Sequence, residues 1–236
     1  MSTPIATPAE SAALPITRRA TVPEMVLVLG LPTGLSFGRS LWWIAHHPGP
    51  PAFDDPRLVQ GLIVEAMFAA LLLTFLRRRG WRPSQVAGAP EPFDVLLGAG
   101  LYLAAIGSSY IGRIAFTTLA PAWAHAARAH PFTGHMSASM IVVASVLNAV
   151  FEEFLWLGYG ISALGSRMDL RRASIVSIAL RVSVHTYQRI WAIVSILPLS
   201  IVFTWYYART RRIWPVIVAH TIIDALSFTM LTMAHR

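Results

Sequence analysis

The run SASMIVVASVLNAVFEEFLWLGYGISA occupies residues 137–163. A helix needs about 20 residues to cross a hydrocarbon core of about 30 Å, and this run is long and apolar enough to do so. Yet two adjacent acids, Glu152 and Glu153, stand well inside it. A charge in mid-span costs about 2.5–3.5 kcal/mol on insertion scales. A chain that keeps two such acids has a partner for them or a use for them. The run therefore points to an all-α, polytopic membrane bundle with chemistry inside it.

Working outward, seven stretches meet or approach the length of a span: roughly 24–45, 58–76, 93–120, 137–163, 173–188, 190–208 and 213–234. The third is long enough to be tilted, or broken near Gly107. The fifth is short and polar, which suits the bundle interior better than a lipid contact. An eighth half-span in 121–135 is left open, although Pro121, Pro131 and three histidines speak against it. Composition agrees with a membrane protein. The chain is 55% hydrophobic and 13% charged, against about 25% charged for a soluble domain. That excludes a soluble enzyme, and it excludes disorder, which needs high charge and low hydrophobicity. Cysteine is absent, so disulfides, thiolate nucleophiles and Cys-bound metals are excluded too.

The net charge is +8, and all nineteen basic residues are arginines. They lie in short clusters between apolar runs, not along one soluble face, so no nucleic-acid partner is expected. With the N-terminus inside, twelve arginines fall in inside segments: Arg18, Arg19, Arg77, Arg78, Arg79, Arg82, Arg167, Arg171, Arg172, Arg209, Arg211 and Arg212. Four fall outside: Arg57, Arg128, Arg189 and Arg236. This obeys the positive-inside rule. Trp42, Trp43, Trp81, Trp191 and Trp214 fall at span ends, as an aromatic belt requires. Residues 1–22 are polar and Pro-containing and read as a disordered cytoplasmic tail; residues 23–236 read as a single membrane domain. The clusters Arg77–Arg79 and Arg209–Arg212 set topology and suit contact with anionic lipid. A Lys-free, Ala-rich composition suggests a GC-rich bacterial genome and an inner-membrane location.

Three constellations place polar groups inside spans. In the first, Asn148 precedes Glu152 by one turn and shares its face, while the adjacent Glu152 and Glu153 point about 100° apart. One acid is thus free to work on a water while the other pairs with a cation or a backbone group. In the second, Arg181 and His185 are i, i+4 neighbours within LRVSVHTYQ (180–188). In the third, His220 and Asp224 are i, i+4 neighbours in the last span. A structural ion pair, or a histidine satisfied in a core, is the bland alternative for each. Arg39, Glu65 and Arg113 are weaker candidates, and Glu65 pairing with one of the two arginines to hold the bundle is the preferred reading there.

Taken in order, these constellations resemble the CPBP family of intramembrane proteases, the CAAX-protease and bacteriocin-processing group also called Abi. Its motifs are EExxxR, FxxxH and HxxxN or HxxxD. Glu152-Glu153, His185, and His220 with Asp224 match them, over about residues 137–230. Two positions depart: Leu157 stands where the Arg of EExxxR belongs, and Arg181 stands where the Phe of FxxxH belongs. The expectation is that Arg181, from the neighbouring helix, supplies the missing guanidinium to Glu153.

The resemblance implies peptide-bond hydrolysis in or at the membrane, on a membrane-associated peptide or protein. Glu152 is then the general base, with His185 helping to hold the water. His220, oriented by Asp224, stabilises the oxyanion, Asn148 adds a donor, and Glu153 is structural. No cofactor is expected. Zinc on Glu152, His185 and His220 is the alternative, weakened by the lack of HExxH. A catalytically degenerate scaffold and a proton-coupled transporter are the readings from other classes.

Overall fold

A computed structural model describes residues 19–49, 51–128, 132–190 and 192–234. It is an all-α bundle. The main helices are α1 (Val22–His46), α2 (Asp55–Arg78), α3 (Asp94–Leu119), α4 (Pro121–Arg128), α5 (Ala138–Gly165), α6 (Leu170–Val184), α7 (Leu197–Thr210) and α8 (Trp214–Met233). Five of them, α1, α2, α3, α5 and α8, are long and apolar enough to cross a membrane. Two strands of two residues each, β1 (Phe53–Asp54) and β2 (Gly134–His135), pair in parallel and tie the approach to α2 to the approach to α5.

Local chemistry sets the helix starts. Thr21, Asp54, Ser137 and Asp169 are N-caps, each accepting a backbone N–H two or three residues into its helix. Pro23 and Pro56 sit in the first turn, where a missing N–H costs nothing. Arg211 ends α7 in the left-handed conformation at φ 57°.

Packing then gathers the helices in two groups. One apolar cluster joins α3, α7 and α8 to Leu157 and Ile161 of α5. The other joins Val28 and Leu29 of α1, Leu72 of α2 and Trp81 to Leu155, Trp156 and Tyr159 of α5. The approach of α3 to α8 is close. A Cβ on Gly98 would lie 2.5 Å from Val218 Cγ1 and 2.9 Å from the Pro215 carbonyl oxygen. At the same end of the bundle Arg212 sits 2.6 Å from Asp94 and 2.8 Å from Glu91. Hydrogen bonds to these two carboxylates hold the guanidinium proton more firmly than usual.

Several expectations need correction. The third span is unbroken through Gly107, and at 26 residues α3 is about 39 Å long. Among the described residues of 121–135 the one helix is the eight-residue α4, about 12 Å and too short to cross, followed by β2. The fifth span does not run to 188. It stops as an α-helix at Val184 and continues as a single 3-10 turn over Thr186–Gln188. One face of α6 is buried through Ala173, Ser177 and Arg181, while Ile175 on another face is exposed, so α6 lines the bundle without being enclosed by it. The expected tail lies outside the described residues up to 18. Beyond that point the chain is already packed: Ala20 is buried, donates its N–H to Ser166 and accepts from Arg167. Trp191, His130, Pro131, His235 and Arg236 also lie outside the described residues.

Candidate active site

The two acids of α5 diverge as helix geometry requires. Glu153 is fully buried (0% exposed) and makes two contacts. Its Oε2 meets Arg181 Nη2 of α6 at 2.5 Å, and its Oε1 meets His220 Nδ1 of α8 at 2.6 Å. Arg181 is itself only 2% exposed, and its guanidinium lies 6.0 Å from the centre of the Phe203 ring. Its Nε and Nη1 have no hydrogen-bond partner among the described residues. Arg181 thus stands against Glu153 as a cation from the neighbouring helix.

Position 157 holds a leucine and so offers Glu153 no cation. From Phe154 to Ile161 the chain is a π-helix, with wider i→i+5 turns. The residue four after Glu153 is therefore out of α-helical register. Leu157 is fully buried among the apolar side chains of α5, α7 and α8.

Glu152 turns another way. Its Oε1 lies 4.0 Å from His185 Nε2, and both side chains are partly exposed. His185 is held by its other nitrogen, Nδ1, 2.9 Å from the Arg181 carbonyl. A carbonyl only accepts, so the neutral ring carries its proton on Nδ1 and shows the Nε2 lone pair to Glu152. His185 reaches this place because α6 ends there: it is the C-cap residue, outside helical geometry. The Tyr187 ring stacks beside it, 6.1 Å between centroids.

The third constellation differs in detail from the sequence reading. His220 Nε2 lies 3.5 Å from Asp224 Oδ2, too long for a firm hydrogen bond. The firm partner of His220 is Glu153, and Asp224 instead accepts from Asn148 Nδ2 at 2.9 Å. One Asn148 N–H is thereby committed to Asp224, so Asn148 orients that carboxylate. Glu153 was expected to be structural through Arg181 alone; it also fixes the tilt of His220.

Glu65 of α2 makes no ion pair with Arg39 or Arg113 among the described residues, contrary to the preferred reading. One of its carboxylate oxygens is buried without a hydrogen-bond partner. It lies within electrostatic reach of Glu152, Asp224, His220 and Arg39, so α2 contributes a fourth acid to the same polar region. Glu24 was missed altogether. It is 1% exposed and accepts from Trp81 Nε1 at 2.6 Å, Tyr159 Oη at 3.3 Å and Arg79 Nε at 3.3 Å. This knot clamps α1 and the loop after α2 onto α5, and it makes Trp81 a buried anchor, not part of an interfacial belt. Its only sequence signal was an acid just inside an apolar run. Among the described residues, no three His, Asp or Glu side chains are arranged to hold a metal ion.

Residues brought together by α5, α6 and α8 thus form one polar centre within an apolar bundle. It offers a carboxylate facing a histidine lone pair, and a second histidine braced by two carboxylates. Residues 134–226 match the family model described as type II CAAX prenyl endopeptidase Rce1-like. No curated protein and no solved structure matches the chain. The matched segment begins just ahead of α5 and ends two residues past Asp224, so it holds Asn148, Glu152, Glu153, Arg181, His185, His220 and Asp224. Over residues 134–226 the chain is thus similar to the Rce1-like type II CAAX prenyl endopeptidases, a match consistent with a CPBP-family protease.

Proposed function

We propose that the chain is a metal-independent intramembrane endopeptidase that cleaves a membrane-associated peptide with a water activated by Glu152. The observation that carries this reading is the opposition of Glu152 Oε1 and His185 Nε2 at 4.0 Å. That span is too long for a direct hydrogen bond, and one water bridges it with two ordinary ones. Such a water donates one hydrogen to each acceptor and leaves a lone pair for the substrate carbonyl carbon.

In the first step the water oxygen bonds to that carbon, its proton passes to Glu152, and the carbonyl oxygen becomes an oxyanion. With Glu153 accepting from Nδ1, His220 works as the imidazolium, and its Nε2–H, only loosely engaged by Asp224, is donated to the oxyanion. Glu153 and Asp224 hold the ring, and Asn148 holds Asp224. In the second step the tetrahedral centre collapses, the C–N bond breaks, and Glu152 returns the proton to the leaving amine. Arg181 offsets the charge of Glu153 and touches no reacting atom. The distribution of arginines supports an N-terminus in the cytoplasm, and the Lys-free, Ala-rich composition supports a bacterial inner-membrane protein.

The test compares membrane peptides from cells making the wild type, Glu152→Gln and His185→Ala. Peptide fragments that vanish in both variants, at equal protein level, support hydrolysis. Unchanged function in both identifies a scaffold, and proton or solute flux in liposomes identifies a transporter. Activity lost on strong chelation and restored by zinc would overturn the metal-independent mechanism.

A further inference from the structure

Beyond the polar centre, a cavity of about 280 Å³ lies between α2 and α5 towards the arginine-rich end of the bundle. Ala69, Leu72 and Leu76 of α2 form one wall; Phe151 and Leu155 of α5 form the other. The Tyr159 ring closes the inner end, its hydroxyl already given to Glu24. Nothing in these walls offers water a hydrogen bond. An apolar cavity of about 150 Å³ already stays dry and takes up an apolar ligand, and this one is larger.

The mouth has different chemistry. Arg77 and Arg82 border the cavity. Both are exposed, and neither guanidinium makes an ion pair or hydrogen bond among the described residues. Their neighbour Arg79 contrasts with them, being committed to Glu24. Arg77 also stands at the end of a span, the level at which headgroups meet the protein. Of the five candidate spans, α2 is the least covered by the rest of the bundle, with 6% of its apolar window buried, so the cavity lies against a helix that faces lipid.

We propose that this cavity is a binding site for an anionic bilayer phospholipid, with one acyl chain between α2 and α5 and the headgroup phosphate between Arg77 and Arg82. Charge complementarity at the mouth selects the headgroup; the apolar depth selects the chain. The bilayer itself supplies the ligand by lateral diffusion.

The full chain is reconstituted in phosphatidylcholine nanodiscs containing a few per cent of phosphatidylglycerol with a photoreactive acyl chain. Cross-links are mapped by mass spectrometry. Labelling is expected on α2 around Ala69–Leu76 and on α5 around Phe151–Leu155. Ala69→Trp fills the cavity and should lower that labelling at least fivefold. Arg77→Gln with Arg82→Gln alters only exposed side chains. It should weaken labelling by the anionic probe about thirtyfold, the effect of two surface arginines on anionic lipid. A matched photoreactive phosphatidylcholine should label weakly and be indifferent to the arginine pair. Equal labelling by the two lipids, or labelling that survives Ala69→Trp, overturns the proposal. So does displacement of the anionic probe by a stoichiometric farnesylated peptide, which would make the cavity a substrate pocket.

Discussion

Arg181 illustrates what a single residue decides here. It is the one arginine against Glu153 among the described residues, in a region where charge is expensive, and an uncompensated buried partner costs about 3–5 kcal/mol. Arg181→Leu should therefore lower the thermal unfolding midpoint sharply in detergent. Arg181→Lys should fall between, because it keeps the charge and loses the planar fork. Adding Leu157→Arg to Arg181→Leu should recover part of the loss. If the double variant is no more stable than the single one, position 157 cannot serve Glu153 across the π-helix. Glu152→Gln is predicted to act differently. Glu152 is partly exposed and makes no ion pair with an arginine among the described residues, so its variant should unfold like the wild type while losing cleavage. A midpoint that falls as far as in Arg181→Leu would make Glu152 a structural acid.

Among the helices, the decisive features are ends and close approaches. His185 is placed by the end of α6: as the C-cap residue it gives its backbone N–H to Val182, and its Nδ1 reaches the Arg181 carbonyl. Where that helix stops was not legible in LRVSVHTYQ, which contains neither glycine nor proline to mark it. The α3–α8 contact sets the depth of His220. Gly98→Val would force those helices apart, and overpacking of this kind costs about 1–3 kcal/mol. The expected outcome is a lower unfolding midpoint together with lost cleavage, since His220 moves with α8. Retained activity at wild-type stability would show that α3 does not position α8. Gly98 carried no sequence signal, because its importance lies in a side chain, Val218, that is distant along the chain.

For the whole molecule, the arginines make the testable statement. The loops around Gly80 and Arg211 both lie at the arginine-rich end, and the loop around Gly49 lies at the other. Accessibility reporters placed in the first two should read the same side of the membrane and one at the third the opposite side, with the arginine-rich side cytoplasmic. A reversed reading would invert the proposed orientation. Exchange of Arg212 for Ala should also loosen this end, because Asp94 is buried there and loses its cation. The expected result is faster hydrogen exchange at the start of α3, and unchanged exchange would assign the tie no structural weight.

By itself the amino-acid sequence determined the membrane bundle and the polar residues within it. Those rest on local quantities: apolar run length, the cost of a buried charge, and the direction in which helical neighbours point. Only the tertiary structure decided that His220 leans on Glu153 and not mainly on Asp224, that Asn148 serves Asp224, and that Glu65 joins the acids instead of an arginine. Each is a contact between helices whose rotation and depth come from packing at Gly98, Leu157 and the π-helix. Spacing along one helix states which residues share a face, and only the neighbouring helix determines what that face meets.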